Sequence, residues 1–295
     1  MRLSPRRVVV LLLLWGGLPL ARAYLLLRTH GEGVALAPPA GLAVQETVFR
    51  ASDGVPLHGW FVAGTASAPS IVLAAGFKET RVSMVPYARF LHAAGYNVLL
   101  YDGRGLGQSS GRFSAGLYEV DDVQGAVAYL ERRRDLRDRR YGLLGVSLGA
   151  GVAIVAAAHL PTVAATVADS AYSDQGLLVA RLDALALDPL SLPLAPLGPW
   201  AVDRLLGAPL AAFSPLGAVG RIAPRALLLV HSRDDANPTT PLSGALALSR
   251  ASGRHSSLWI ASHGGHAGAF AAQPAVYERH VLAFLRRWLG SPGTR

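Results

Sequence analysis

Gly145-Val146-Ser147-Leu148-Gly149 is the segment of this 295-residue chain whose residue types and spacing suit covalent chemistry. It follows Tyr141-Gly142-Leu143-Leu144, an apolar run suited to a strand, and precedes Ala150 to Ala158, an alanine-rich run suited to a helix. Strand, tight turn and helix is the context in which a G-x-S-x-G match becomes a nucleophile elbow. The turn strains the serine backbone and presses strand and helix together, so the positions two before and two after must lack side chains. Ser147 then stands at a helix N-terminus, where free N–H groups and the helix dipole favour negative charge. A chance Gly-Ser turn is the alternative in a chain with 32 glycines, and the flanking patterns argue against it.

A serine hydroxyl needs a base to remove its proton, and the base needs a partner to orient it. Ala226-Leu227-Leu228-Leu229-Val230 reads as a buried strand running into His231-Ser232-Arg233-Asp234-Asp235-Ala236-Asn237-Pro238. Ser257 to Ala261 reads as the next strand, running into Ser262-His263-Gly264-Gly265-His266-Ala267-Gly268. An acid and a histidine thus follow two successive strands, in the order that a serine elbow requires. Spacing alone leaves Asp234 beside Asp235, and His263 beside His266. Asp169 is a third candidate acid after an earlier strand; its other reading is a cap on whatever follows. His263 and His266 match H-x-x-H spacing, but no third clustered ligand and no cysteine accompanies them, so neither a metal nor a cofactor is expected. Lys78, the only lysine, reads as a solvated loop residue.

Several further stretches carry a family likeness. Ile71-Val72-Leu73-Ala74-Ala75-Gly76-Phe77 is similar to a strand and oxyanion loop that ends in His-Gly-x. Tyr101-Asp102-Gly103-Arg104-Gly105-Leu106-Gly107-Gln108-Ser109 is similar to a D-x-R-G-x-G-x-S loop, and Asp169-Ser170 to a D-S pair. His231 to Pro238 resembles H-G-x-x-D-x-x-V-P, and Gly264-Gly265-His266 resembles part of a G-x-x-H segment. On these motifs the chain, from about Val44 to Leu289, resembles the α/β-hydrolase superfamily. Within it the likeness is to bacterial membrane-anchored serine hydrolases of the BEM46-like and S33 serine-peptidase-like types.

The resemblance implies an α/β fold with a mostly parallel central sheet and helices on both faces. It implies Ser147 as nucleophile, Asp235 as acid, His266 as base, and the backbone N–H groups of Phe77 and Leu148 as the oxyanion hole. The activity implied is hydrolysis of ester-like acyl bonds through an acyl-enzyme, carboxylesterase- or lipase-like, on a small-molecule or lipid-like acyl substrate. Peptidase or thioesterase activity would use the same apparatus. Two positions depart from the pattern: Ala75 replaces the oxyanion-loop histidine, and Ser232 replaces the glycine after His231. The first is the best support for the rival reading, a non-catalytic membrane-associated binding protein on the same fold.

The remaining elements must position these groups. Gln45 to Arg50 and Leu57 to Ala63 read as strands joined by a Ser52-Asp53-Gly54 turn. Val82 to Ala94 has helical spacing and stops at Gly95; Tyr96 to Tyr101 is the next strand, and Leu117 to Arg133 the next helix. Alternating strands and helices imply a parallel sheet, with reactive groups at the carboxyl ends of its strands. Asp102 and Arg104 read as a loop lock. Between Ser173 and Ser214 the rhythm breaks into Leu, Ala and Pro, which forbids one continuous helix. The superfamily inserts its cap here, so a small apolar cap is expected over about 174–213, within a catalytic domain spanning 44–289.

Composition fits one catalytic domain: 51% of residues are hydrophobic and 16% charged. Without cysteine, no disulfide constrains the compartment. The net charge of +9 comes from scattered arginines, with no aromatic-interleaved basic motif, so nucleic acid is not an expected partner. At the N-terminus, residues 1–30, Arg2, Arg6 and Arg7 precede the uncharged run Val8 to Leu20. Basic residues before an apolar run keep that end cytoplasmic and send the rest across the membrane. Val8 to Leu27 is long enough to span the bilayer if Arg22 snorkels, giving a single-pass anchor in the cell membrane. Ala21-Arg22-Ala23 instead matches a signal-peptide cleavage site, giving a released domain. Both place the active site outside the cytoplasm.

Overall fold

The computed structural model describes residues 4–29, 36–174, 184–187 and 190–292. The chain divides into two compact units. One comprises residues 1–28 and 174–213, the other residues 29–173 and 214–295.

The larger unit is built on an eight-stranded sheet. Its strands are β1 (Gln45–Arg50), β2 (Pro56–Val62), β3 (Ser70–Ala74), β4 (Asn97–Tyr101), β5 (Tyr141–Val146), β6 (Val163–Asp169), β9 (Ala226–Ser232) and β10 (Ser256–Ala261). They lie in the order β1-β2-β4-β3-β5-β6-β9-β10. The β1–β2 and β2–β4 pairs are antiparallel; every later pair is parallel. This is the mostly parallel sheet of the α/β-hydrolase fold, and its parallel strands are apolar because both faces are covered. β3, β4 and β5 are buried at every position.

Successive side chains serve opposite faces. Ile71, Leu73, Val98, Leu100, Leu144 and Val146 share a core with α2 (Val85–Ala93) and α7 (Pro274–Leu289). On the other face α4 (Leu148–His159) packs on β3, β5 and β6 and against α3 (Glu119–Arg132). From Leu148 to Ala157 every residue of α4 is buried, which suits a helix of Leu, Ala, Val, Ile and Gly with no polar stripe. α6 (Leu242–Ala251) packs on β9 and β10. The element expected over Val82–Ala94 begins as a 3-10 turn, Arg81–Met84, and becomes α-helical only at Val85. Pro86 explains this: proline fits only the first turn of an α-helix, so the helix cannot start a turn earlier.

The buried Asp102 carboxylate accepts from the Arg81 amide at 2.9 Å and the Gln108 amide at 3.1 Å. Arg104 bridges Asp53 in the hairpin turn, at 2.8 Å, and Asp122 on α3, at 2.7 Å. These bonds lock the glycine-rich loop after β4.

The smaller unit contains α1 (Pro5–Leu27), a hairpin of β7 (Ala184–Leu187) and β8 (Leu190–Pro193), and α5 (Gly198–Leu206). α5 packs on α1. The rest of the expected cap, residues 175–183 and 188–189, lies outside the described residues.

Candidate active site

β5 ends at Val146, and the chain turns through Ser147 with φ 54° and ψ −116° before α4 begins. Few L-residues adopt that conformation, and here surrounding bonds hold it. The Ser147 amide donates to the Asp169 carbonyl at 2.8 Å. A Cβ on Gly145 would strike the Gly149 carbonyl, and one on Gly149 would strike the carbonyls of Ala74 and Ala75. The missing side chain at 149 therefore lets the end of β3, and the loop carrying Phe77, lie against the first turn of α4. The Leu148 N–H opens α4 and has no acceptor within the helix. In the neighbouring loop Glu79 takes the Gly76 amide at 3.2 Å, and the Phe77 ring packs edge-on to Phe113 at 5.1 Å. Ala75, where the likeness leads one to expect histidine, lines a small cavity with Gly76, Leu106, Phe113 and Leu148.

Ser147 and His266 are 119 residues apart in sequence, yet Ser147 Oγ lies 2.8 Å from His266 Nε2. His266 Nδ1 lies 3.0 Å from Asp235 Oδ2. The Asp235 side chain is wholly buried and that of His266 is 27% exposed, so one end of the imidazole is enclosed and the other is reachable. Asp235 Oδ1 accepts the Asn237 amide at 2.8 Å, which fixes the carboxylate. With the proton on Nδ1 shared toward Asp235, Nε2 is left to accept from the serine hydroxyl. The arrangement can take a proton from Ser147 and stabilise the imidazolium that results.

The competing candidates occupy other places. Asp234 accepts from the amides of Gly265, at 2.9 Å, and Gly264, at 3.3 Å, and so fastens the loop that carries His266. Those amides, Gly265's first, hold its carboxyl below the usual range. His263 is exposed, with Nδ1 2.9 Å from Ser262 Oγ. Asp169 is buried at the end of β6, and burial pushes its carboxyl up to about 6. It accepts from Ser170 Oγ at 3.0 Å, and Ser170 Oγ in turn accepts the Ala267 amide at 3.1 Å. Asp169 Oδ2 and the Tyr277 hydroxyl are both buried without a hydrogen bond of good geometry. No cluster of three His, Cys, Asp or Glu fit to hold a metal occurs among the described residues.

The sequence reading missed Thr240 and gave His231 a place in a motif but no task. Thr240 Oγ1 lies 3.0 Å from His266 Nδ1 and donates to Asp235 Oδ2 at 3.3 Å. His231 is fully buried with Nε2 3.7 Å from Asp235 Oδ2; burial lowers its basicity, against the pull of Asp235. No motif marks Thr240, and only the fold brings it to the histidine.

A model of the X-Pro dipeptidyl-peptidase (S15) family matches residues 53–179. The protein YqkD of Bacillus subtilis (strain 168) is 30% identical over 243 residues, covering 81% of this chain and 78% of that one. Among solved structures, the Pyrococcus furiosus esterase Pf2001 superposes with a TM-score of 0.71 at 22% identity, covering 90% of this chain and 100% of that one. The α/β hydrolase GrgF from Penicillium gives a TM-score of 0.67 at 21% identity, covering 84% and 99%.

Proposed function

The chain belongs to the α/β-hydrolase superfamily, and from that premise we propose that it is a serine hydrolase cleaving ester-like acyl bonds through Ser147, His266 and Asp235. The observation that carries the reading is the 2.8 Å approach of Ser147 Oγ to His266 Nε2, continued at 3.0 Å to Asp235.

In the proposed cycle Ser147 Oγ attacks the carbonyl carbon while His266 Nε2 takes the hydroxyl proton. The carbonyl oxygen becomes an oxyanion held by the N–H groups of Phe77 and Leu148. Each such donor contributes about 3–4 kcal/mol to transition-state stabilisation. The intermediate collapses as His266 gives its proton to the leaving alkoxide, releasing the alcohol and leaving an acyl-serine. Water then loses a proton to His266 and attacks the acyl carbon; the bond to Ser147 Oγ breaks, His266 returns the proton to that oxygen, and the carboxylic acid leaves. Asp235 stays ionised throughout and steadies the imidazolium. The chemistry calls on no cofactor or metal.

α1 is read as a membrane segment. Its most apolar 18-residue window has a mean hydropathy of 1.9, and it is basic at its start, which supports a catalytic domain outside the cytoplasm. That the P. furiosus neighbour is an esterase supports a carboxylesterase assignment; the substrate proposed for this chain is a small or lipid-like acyl compound.

A fluorophosphonate probe on the detergent-solubilised full chain tests the proposal. Covalent labelling that disappears in Ser147→Ala is expected. Folded wild-type protein that stays unlabelled, and inert toward p-nitrophenyl esters of graded chain length, would overturn it in favour of a binding protein on this fold.

A further inference from the structure

α1 contains Pro19, and proline has no N–H to donate. The carbonyl four residues earlier, that of Trp15, therefore lacks its helical partner. The structure supplies a donor from elsewhere: the Ala195 amide points to Trp15 O at 3.4 Å. Next to it, Gly16 faces Leu197, whose Cδ1 would lie 3.6 Å from a Cβ at that position. Pro19 and Ala23, farther along α1, are buried. The stretch from Ala195 into α5 thus docks where α1 is interrupted and its side chains are small.

That contact has a definite depth. α1 has 23 residues, with Gly16 at its midpoint. At about 1.5 Å per residue, Trp15 and Gly16 are roughly 16 Å from either end. A bilayer core is about 30 Å thick, so these residues lie near its middle wherever α1 spans it. Whatever packs there shares that depth.

We propose that the segment around Ala195–Leu206 enters the lipid bilayer with α1, its backbone completing the helix at the proline. The inference rests on reading α1 as a membrane segment and adds a second element to it. An unpaired carbonyl is far costlier in hydrocarbon than in water, which gives the Ala195 contact its purpose. α5 has the surface for such a place: Trp200 is 59% exposed and Leu205 51%. Its acid, Asp203, accepts the Leu210 amide at 2.8 Å through Oδ1, and its exposed Arg204 has a stem long enough to snorkel.

The occupant of this surface is lipid rather than protein on grounds of charge. The first acidic residue of the chain is Glu32, whereas Arg2, Arg6 and Arg7 stand before the apolar run and Arg22 and Arg28 toward its other end. Such flanks complement anionic headgroups on both sides of an uncharged stretch.

The absence of cysteine makes the test direct. Single-cysteine variants Leu12→Cys on α1, Trp200→Cys and Leu205→Cys on α5, and Glu131→Cys at the exposed end of α3 are labelled with an environment-sensitive fluorophore. The full chain is reconstituted into phosphatidylcholine–phosphatidylglycerol vesicles with or without spin-labelled lipids. Blue-shifted emission quenched by those lipids is expected at positions 12, 200 and 205, and neither effect at 131. Quenching at 12 alone overturns this inference and leaves the anchor standing. Blue-shifted but unquenched labels at 200 and 205 also overturn it, since protein, such as a second copy, then covers them. No quenching anywhere overturns the anchor as well.

Discussion

Thr240 and His266 stand side by side: the threonine hydroxyl lies 3.0 Å from the imidazole Nδ1, as close as the carboxylate of Asp235. Because Thr240 also reaches Asp235 at 3.3 Å, its single proton goes to the carboxylate and its lone pairs face Nδ1–H. The hydroxyl thereby favours the imidazole tautomer that leaves Nε2 free for Ser147.

Thr240→Val keeps the side-chain shape and removes this bond. Its expected cost is a fall of roughly 10-fold in kcat, the size of one hydrogen bond to a charged partner, with KM nearly unchanged. Thr240→Ser should recover most of the loss. Steady-state kinetics with a p-nitrophenyl ester decides it; a loss confined to KM would assign Thr240 to substrate binding instead.

Asp169 gives a pH signature in stability. Burial pushes its carboxyl up to about 6, from 3.8 in the unfolded chain. Between those values the folded state holds more protons than the unfolded state, so this group makes stability fall as pH rises from about 4 to 6. Asp169→Asn removes the titration and keeps an acceptor for Ser170. The difference in denaturation midpoint between variant and wild type should therefore grow in the variant's favour across that window and level off above it. Urea titrations at several pH values measure this; a constant difference would refute the assignment.

The elbow and the alternation of strands with helices were legible in the sequence because both follow from short-range rules. Steric pressure at Gly145 and Gly149, and the two periods of side-chain placement, act within a few residues. The choice of Asp235 over Asp234 came from resemblance, since spacing alone allowed either. The structure sends adjacent carboxylates to different tasks, one to the imidazole and one to the amides of Gly264 and Gly265. Thr240 was illegible, being 26 residues from His266 with no local signature. The link from Ser170 to Ala267 also arises from tertiary structure, joining two residues with φ of 54° and 56°. Pro19 in an apolar helix is plain in the sequence, but its replacement donor at Ala195 is not.

Arg104 holds the loop after β4 to two other elements, so its removal should be costly without touching the chemistry. Its Nε bonds Asp122 at 2.9 Å, while its two terminal nitrogens reach Asp53 at 2.8 and 3.1 Å. Asp122 is fully buried, and burial pushes its carboxyl up to about 7 despite the guanidinium beside it. Arg104→Ala leaves that carboxyl without its partner and should destabilise the fold by about 3 kcal/mol. Arg104→Lys keeps the charge and loses the planar fork, so it should recover only part of that. Guanidinium titrations followed by circular dichroism give both values.

Ser147 and His266 should behave as one unit if the proton passes directly between them across the observed 2.8 Å. Removing either abolishes the same step, so the second removal has little left to take away. Ser147→Ala and His266→Ala are each expected to lower kcat by on the order of 10⁴- to 10⁶-fold, and the double variant by about the same factor. The small activity that persists would come from binding and the proposed oxyanion donors at Phe77 and Leu148. Additive losses would mean that the two side chains serve separate steps, and the role of His266 as base would have to be given up. Burst kinetics with an activated ester supplies the complementary reading: the wild type should release one equivalent of alcohol as the acyl-serine forms, and the burst should vanish in all three variants.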